Sequence, residues 1–288
     1  MIRIGMIGSD NSHALAFSKM ANVERSLADR CRVVGIWGSD PEQTGNVARE
    51  ARIDRIADTP DALIGDIDLA IVVDRHGNLH AEHALPFIEA GLPVFVDKPL
   101  AISIADCRRI IETAEKSGSL LSSFSALRFA PGVEEIAALL PDLGAIRTAH
   151  FAGPCDFASP HGGPFFYATH VIEMALRLVG EDVQSLRATQ HGGQVVAVVT
   201  WTGGTIGSFS LMTGAAYHFF ATLFGERAMV AKDAFDDAPG YRNVLEQIVR
   251  MVENGERPLT NDQLLRPVSM VHAIVESLER GGDDVTIA

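Results

Sequence analysis

Cysteine is scarce in this chain, and the three that occur, Cys31, Cys107 and Cys155, form no CxxC pair. Their odd number and wide spacing exclude a disulfide framework and favour a reducing compartment, so we expect a cytoplasmic protein. Long apolar runs are also lacking, because the run at residues 69–73 is strand-sized and far too short to cross a bilayer. The first ten residues do not have the basic-then-apolar pattern of a secretion signal.

Positive charge is in short supply as well. The 288 residues include 24 Lys and Arg against 37 Asp and Glu, which gives a net charge of −13. Such a balance argues against nucleic acid and against anionic membranes as partners, because both need clustered cations. With 47% apolar residues the chain can bury a sizeable core, and its length suits one large domain or two ordinary ones. We therefore expect a globular protein that acts on a small molecule.

The first third of the chain alternates short apolar runs with helical patterns. The predicted strands are residues 2–7, 32–37, 68–73 and 93–96, and the predicted helices are residues 12–27, 41–51, 80–90 and 103–117. Strands that are apolar almost throughout and alternate with helices indicate a parallel sheet covered on both faces. The pattern predicts an α/β Rossmann domain, a doubly wound parallel sheet, over residues 1–122.

A different pattern follows from residue 123 to residue 288. The predicted strands are residues 144–152, 183–190, 194–201, 205–212, 217–224 and 228–232, and the predicted helices are residues 131–140, 165–179, 241–253 and 261–280. Short Gly-containing connections between the later strands are typical of an antiparallel meander. We predict a C-terminal α+β domain with an open antiparallel sheet, whose closing helix packs back on the first domain.

The turn after the first strand is the place where a dinucleotide pyrophosphate would bind. Of the G-x-G-x-x-G fingerprint only the first glycine is present, and an ordinary turn with Asn11 or Ser12 as helix N-cap explains the residues equally well. After the second strand come Gly38 and Ser39 with no adjacent cation, so NAD and NADP both stay open. The cofactor-binding candidates of the first turn are Gly8, Ser9, Asp10, Asn11, Ser12 and His13.

By the fourth strand the sequence resembles a known family. Residues 91–101, Gly-Leu-Pro-Val-Phe-Val-Asp-Lys-Pro-Leu-Ala, are similar to the strand and Glu-Lys-Pro signature of the glucose-fructose oxidoreductase, inositol dehydrogenase and rhizopine-catabolism family (Gfo/Idh/MocA). Asn78-Leu-His80, Arg128, and Gly162-Gly163 followed by His170 match further motifs in the same order. The resemblance implies an NAD(P)-dependent oxidoreductase of a small sugar-like or hydroxylated substrate, assembled as a homodimer or homotetramer through the open sheet.

The resemblance also implies roles for individual residues. Lys98 would be the acid/base that reaches substrate and cofactor, and a lysine at a strand end beside the crevice suits that work. His170 would contact the substrate hydroxyl, Glu173 on the same helix face would orient its ring, and Arg128 would hold a substrate acid or the cofactor. One departure is Phe166, since the family's dehydrogenases carry Asp four residues before the histidine. Phe cannot take a proton, which puts ordinary polyol oxidation in question.

Several unusual polar residues follow the ends of the parallel strands, which meet at one edge of the sheet. They predict an acidic, His-rich crevice that is either a reshaped nicotinamide site, with Asp10 paired to Arg75 or Lys98, or a site for a metal or polar ligand. No HxH or HExxH spacing occurs, so no metal ligand is assigned. The crevice candidates beyond the first turn are Asp74, His76, His80, Asp97 and Lys98.

Three functions therefore compete. They are an NAD(P)-dependent oxidoreductase, a non-catalytic or regulatory ligand-binding protein on the same fold, and a metal-assisted lyase or hydrolase. For the sheet of the second domain, we expect an apolar face of Val196, Val198, Phe209 and Phe219 to meet a second copy. The same residues could instead lie under the domain's own helices.

Overall fold

A computed structural model of the chain describes residues 1–235 and 237–287. It divides into two compact units, one formed by Met1–Phe124 with Tyr241–Leu264, the other by Ser125–Gly240 with Leu265–Ala288. We expected domains at residues 1–122 and 123–288, with the closing helix returning to the first. The segment Tyr241–Leu264 is grouped with the first unit, and the expected domain bounds and return of the closing helix stay predictions.

The first unit is a six-stranded parallel sheet with helices between its strands. Its elements are β1 (Ile2–Ile7), α1 (Ser12–Asn22), β2 (Cys31–Trp37), α2 (Pro41–Glu50), β3 (Arg55–Ile56), β4 (Leu69–Val72), α3 (His80–Glu89), β5 (Val94–Val96), α4 (Ile104–Ser117) and β6 (Leu121–Ser122). The strand order is β3-β2-β1-β4-β5-β6, and every neighbouring pair is parallel. The predicted Rossmann sheet is confirmed, and its order reverses between β1 and β4, where such sheets form a binding crevice.

The ends of the helices follow from local hydrogen bonds. Ser103 caps α4 by accepting a hydrogen bond from the Asp106 amide at 3.0 Å. The predicted helix 12–27 is too long, because α1 ends at Asn22. The Asn22 side chain pairs with the backbone of Val33 in β2, donating at 2.8 Å and accepting at 2.9 Å. Beyond it, Arg25 adopts a positive φ of 51° that a right-handed helix cannot contain.

The second unit is an α+β domain with a seven-stranded sheet. Its elements are α5 (Pro131–Leu143), β7 (Ile146–Pro154), α6 (Ala168–Leu178), β8 (Val183–His191), β9 (Gln194–Trp201), β10 (Ile206–Met212), β11 (Phe220–Gly225), β12 (Met229–Asp233) and β13 (Val285–Thr286). Two helices complete the chain: α7 (Asp237–Asn254), most of which is grouped with the first unit, and α8 (Asn261–Glu279), most of which is grouped with the second. The strand order is β12-β11-β7-β10-β9-β8-β13. The predicted α+β class is confirmed, but the sheet is mixed, since β7 and β10 run parallel while the other neighbours are antiparallel.

The two faces of this sheet differ in burial. Along β9, Val195, Ala197 and Val199 are buried, whereas Val196 between them is 43% exposed. Phe209 and Phe219 are wholly buried in the core, so their expected place on the open face is wrong. The reason for Phe209 is the register of β10 on β9, in which Phe209 pairs with the buried Ala197 and not with Val196 or Val198. The exposed apolar residues of the strands are Val196, Ile206, Phe220, Phe224 and Met229.

The helix predicted over residues 165–179 is in two parts. A 3₁₀ turn covers Gly163–Phe166, and α6 begins only at Ala168. Tyr167 between them has φ of −123°, outside the helical range. Phe166 and His170 therefore do not share one continuous α-helical face.

The state of the cysteines and the length and polarity of the helices bear on two features of the composition. The three cysteines are buried free thiols, and burial raises the pKa of Cys31 to about 11 and those of Cys107 and Cys155 to about 12. In the part of the chain that the structure describes, every helix is too short or too polar to cross a membrane.

Gly38, at the end of β2, is required by close packing. A Cβ built there would lie 2.1 Å from Ser9 Oγ and 2.6 Å from Thr44 Oγ1. These two hydroxyls are joined by a buried hydrogen bond of 2.8 Å. Any side chain at residue 38 would separate them and displace the turn after β1.

We expect Gly38→Ala to lower the free energy of unfolding by about 1–3 kcal/mol, because the added methyl overpacks this contact. The matched control is Gly45→Ala inside α2, where a Cβ has nothing within 4 Å. That variant should instead gain about 0.5–1 kcal/mol, since Ala is the better helix former. Urea unfolding of both variants checks the pair, and equal stability of the two would contradict the packing argument.

Candidate functional site

The turn after β1 lies at the point where the strand order reverses. Gly8 has φ of +97°, and a Cβ there would be 2.8 Å from the amide nitrogen of Asp74, so glycine lets the β1 turn lie against the end of β4. Asn11 is the N-cap of α1 and accepts a hydrogen bond from the His13 amide at 3.2 Å. The start of α1 therefore follows the carboxyl end of β1, the place where Rossmann folds bind a pyrophosphate at a helix N-terminus.

The buried carboxylate of Asp97 holds this turn to the end of β5. It accepts hydrogen bonds from His13 Nδ1 at 2.6 Å, from the Lys98 amide at 2.8 Å and from Asn11 Nδ2 at 3.2 Å. Burial alone would raise the pKa of Asp97, but the charge and hydrogen bond of His13 and the charge of Lys98 hold it well below its ordinary value. Two departures from the usual motifs, His13 for glycine and Asp97 for Glu, therefore form one interacting pair.

Lys98 directly follows this carboxylate. It is 5% exposed, and its peptide bond to Pro99 is cis. His80, at the start of α3, is wholly buried beside this turn. Its ring nitrogens lie 2.7 Å from the Pro99 carbonyl oxygen and 2.9 Å from the Asp74 carbonyl oxygen. His80 thus connects the turn after β4 to the turn that carries Lys98.

Asp74 forms a second buried pair with His83, a residue that sequence analysis missed. His83 Nδ1 lies 2.8 Å from Asp74 Oδ2, and the ring meets Trp37 edge-on at 4.8 Å. Burial of the His83 ring disfavours its charge, but the hydrogen bond and charge of Asp74 outweigh burial and raise the pKa of His83. The three-residue spacing from His80 could have revealed it, because residues so spaced share a helix face.

The remaining candidate residues of the first unit are Ser9, Asp10, Ser12, Ser39 and His76. Asp10 is exposed and accepts a hydrogen bond from the Arg75 backbone amide at 3.2 Å. The expected pairing of Asp10 with the side chain of Arg75 or Lys98 stays a prediction. Ser9 is buried against Thr44, whereas Ser12 and Ser39 are exposed. His76 accepts a hydrogen bond from the Asn78 amide at 3.3 Å.

Two of the three aspartates expected in the acidic crevice, Asp74 and Asp97, are therefore paired with histidines. Within residues 1–235 and 237–287, no three His, Cys, Asp or Glu side chains form a group that could hold a metal ion.

In the second unit, the start of α6 carries His170 and Glu173, and both contact Ser125. His170 Nδ1 lies 2.6 Å from Ser125 Oγ, and Glu173 Oε1 accepts a hydrogen bond from the Ser125 amide at 2.8 Å. Ser125 is also the N-cap of a 3₁₀ turn at Ala126–Phe129, where its Oγ accepts from the Leu127 amide at 3.1 Å. Glu173 therefore positions Ser125, and sequence analysis did not single out that serine.

Arg128 lies in the same buried cluster and is 3% exposed. Its Nη2 donates to Glu181, and its Nη1 lies 3.8 Å from Glu173 Oε2. The charge of Arg128 thus faces two carboxylates of its own unit. Glu181 was not expected here, because it lies beyond the end of α6 and 53 residues from Arg128.

Aromatic rings surround His170. Tyr167 lies 5.7 Å and Phe219 5.4 Å from its ring centroid, and Tyr217 contacts both of these side chains. Phe166 packs between His161 at 5.1 Å and Tyr167 at 4.8 Å. Phe166, which stands where the family resemblance implies a carboxylate, therefore packs among aromatic rings.

Comparison with known proteins gives matches along most of the chain. Residues 2–124 match the family model described as an oxidoreductase family with an NAD-binding Rossmann fold. An inositol 2-dehydrogenase of Acidothermus cellulolyticus is 28% identical over 80% of this chain and 72% of its own length. Inositol 2-dehydrogenase 3 of Saccharopolyspora erythraea is 32% identical over 51% of this chain. The chain spans only 41% of that relative's length.

Solved structures share the whole fold at low sequence identity. Scyllo-inositol dehydrogenase from Lactobacillus casei, crystallised with NAD(H) and scyllo-inositol, has a TM-score of 0.86 at 15% identity. That match covers 100% of this chain and 99% of the other. A myo-inositol dehydrogenase from Corynebacterium glutamicum also has a TM-score of 0.86, at 18% identity and with the same coverage.

The Asp74–His83 pair should make stability depend on pH. Because folding raises the pKa of His83, the pair stabilises the native state fully below the ordinary histidine pKa of about 6.5. That contribution is lost as the pH rises through the higher folded-state pKa. We expect His83→Gln to cost about 1 kcal/mol of unfolding free energy in mild acid and progressively less above neutrality. Chemical unfolding of both proteins across this range measures it, and a cost that grows with pH would be inconsistent with the assignment.

Proposed function

We propose that this chain is an NAD(P)-dependent dehydrogenase of a small cyclitol-like or sugar-like alcohol, of the Gfo/Idh/MocA type. The match of residues 2–124 to an oxidoreductase family with an NAD-binding Rossmann fold supports the proposal, as does the similarity to inositol 2-dehydrogenases. The observation that carries the proposal is the buried Lys98, which follows β5 beside the point where the sheet order reverses. The inositol dehydrogenases among its relatives support a hydroxylated ring as the substrate.

The residues of the first turn fit the dinucleotide. The amides at the start of α1 would bind the pyrophosphate, and Ser39 is exposed at the end of β2, where an adenosine ribose would lie. Negative charge near this turn is less of an obstacle than composition suggests, since Asp74 and Asp97 are buried and each is hydrogen-bonded to a histidine. When bound, the nicotinamide supplies the hydride acceptor for alcohol oxidation.

Lys98 and His170 would do the chemistry of the alcohol group. As the carbon–hydrogen bond loses its hydride, Lys98 Nζ would accept the hydroxyl proton, so that a C=O bond replaces the C–O bond. His170 would hydrogen-bond the substrate oxygen from α6. The guanidinium of Arg128 forms ion pairs with Glu173 and Glu181, so we propose that Arg128 stabilises the position of α6.

Phe166 points to the kind of alcohol. A phenyl ring cannot bind a hydroxyl as a carboxylate would, and with Tyr167 it presents an apolar surface. Such a surface favours a ring whose C–H face packs on aromatic side chains. The same residue also supports the second candidate, a ligand-binding protein without turnover, which the Lys98 experiment separates from the first.

We also propose that two copies associate through the open face of the second unit's sheet. Val196, Ile206, Phe220, Phe224 and Met229 are between 41% and 52% exposed there. Apolar side chains grouped on one face are typical of an interface. A two-fold dimer would cover the same residues on both copies.

Replacement of Lys98 tests the function. We expect Lys98→Met to lower kcat/KM for alcohol oxidation at least about 100-fold, because the proton acceptor is lost. The dissociation constant for NAD, measured by isothermal titration, should change by less than about threefold. The control is Lys116→Met at the exposed end of α4, which should leave both quantities unchanged.

Two outcomes would contradict the dehydrogenase. One is the absence of NAD and NADP binding at millimolar cofactor. The other is binding without turnover on a panel of cyclitols, sugars and their deoxy analogues, which would favour the ligand-binding protein.

The interface has its own test. Val196→Arg puts a charge in the middle of the open face, and we expect it to convert dimers to monomers at micromolar concentration. Light scattering after size-exclusion chromatography measures the mass. Ile56→Arg changes a similarly exposed apolar residue on β3 and serves as the control, with no change in mass. A dimer that survives Val196→Arg would refute this face as the interface.

A further inference from the structure

Ser125 is the residue that determines how His170 can act. Its hydroxyl oxygen lies 2.6 Å from His170 Nδ1, and both side chains are buried. The same oxygen accepts a hydrogen bond from the Leu127 amide at 3.1 Å. Because an amide can only donate, this contact uses a lone pair of Oγ and leaves its proton available to donate.

We propose that the Ser125 hydroxyl donates to His170 Nδ1 and thereby holds the neutral ring with its proton on Nε2. Hydrogen bonds at the Ser125 backbone and side chain restrict the orientation of its hydroxyl group. Its amide donates to Glu173 Oε1 at 2.8 Å, and Arg128 lies against the other oxygen of that carboxylate at 3.8 Å. The serine is thus fixed at its backbone by Glu173 and at its side chain by the 3₁₀ turn that it caps.

The consequence concerns the direction of proton movement, and it rests on the proposed function. A ring protonated on Nε2 donates a hydrogen bond to the substrate oxygen but cannot take a proton from it at that nitrogen. Phe166, in the 3₁₀ turn before α6, carries no ionisable group. His170 therefore does not take the hydroxyl proton, and it polarises the oxygen of the alcohol or ketone by donating a hydrogen bond. Ser125 is a positioning residue for this role.

Histidine-labelled protein gives a readout that does not need turnover. The ring nitrogens of His170 are observed by ¹⁵N NMR in the full-length chain at about pH 8, above the ordinary histidine pKa of about 6.5. With ten histidines in the sequence, the signals are assigned by their loss in His170→Asn. We expect an unprotonated Nδ1 and a protonated Nε2 in the wild-type protein. A protonated Nδ1 there would overturn the proposal, whether or not the protein proves to be a dehydrogenase.

Two variants test the role of the serine itself. Ser125→Ala should give a mixture of the two tautomers and lower kcat/KM by about tenfold, with the dissociation constant for NAD unchanged. Ser125→Thr keeps the hydroxyl and should restore both the Nε2-protonated form and most of the activity. A wild-type tautomer in the folded Ala variant would show that another group fixes the ring, and would refute the proposal even if activity fell.

Discussion

The hydrogen bonds to the buried Asp97 carboxylate hold together the two turns that form the proposed cofactor site of the first unit. Three donors from two parts of the chain converge on it: the side chains of Asn11 and His13 at the start of α1, and the amide of Lys98. A buried charge of this kind is stable only when it is fully hydrogen-bonded, so its donors are held in place as firmly as the carboxylate itself. One interaction thereby fixes the helix start that would bind a pyrophosphate and the strand end that carries Lys98.

A parallel arrangement holds in the second unit, where Glu173 fixes Ser125 and Ser125 contacts His170. In both units a buried carboxylate holds the backbone next to a residue proposed to do chemistry. Asp97 binds the amide of Lys98 itself, and Glu173 binds the amide of Ser125, whose side chain contacts His170. The carboxylates of Asp97 and Glu173 are both buried, each with 2% of the residue exposed. The net charge of −13 therefore overstates how much negative charge a dinucleotide would meet at the crevice, because Asp74 and Asp97 are buried and paired.

The sequence was sufficient for the parallel sheet, since its strands are apolar throughout. Lys98 and His170 stand in recognisable motifs, and their roles stay predictions. It did not reveal that β7 and β10 pair in parallel, because alternation along a strand specifies its faces and not its neighbour. Phe209 was placed on the wrong face because the register between β9 and β10 cannot be obtained from either strand alone, and Phe209 pairs with the buried Ala197. Ser125 and Glu181 were missed because their partners lie 45 and 53 residues away, and no local pattern records such contacts.

The tight contact of Gly38 with Ser9 and Thr44 has a consequence for how this protein could change its coenzyme during evolution. In Rossmann folds the residue that follows the second strand ordinarily selects the ribose by its side chain. Here that position is closed to any side chain unless two buried hydroxyls are remodelled together. Asp40 is occupied as the cap of α2, which leaves Ser39 as the accessible point of variation. A shift between NAD and NADP in this lineage would therefore begin at residue 39.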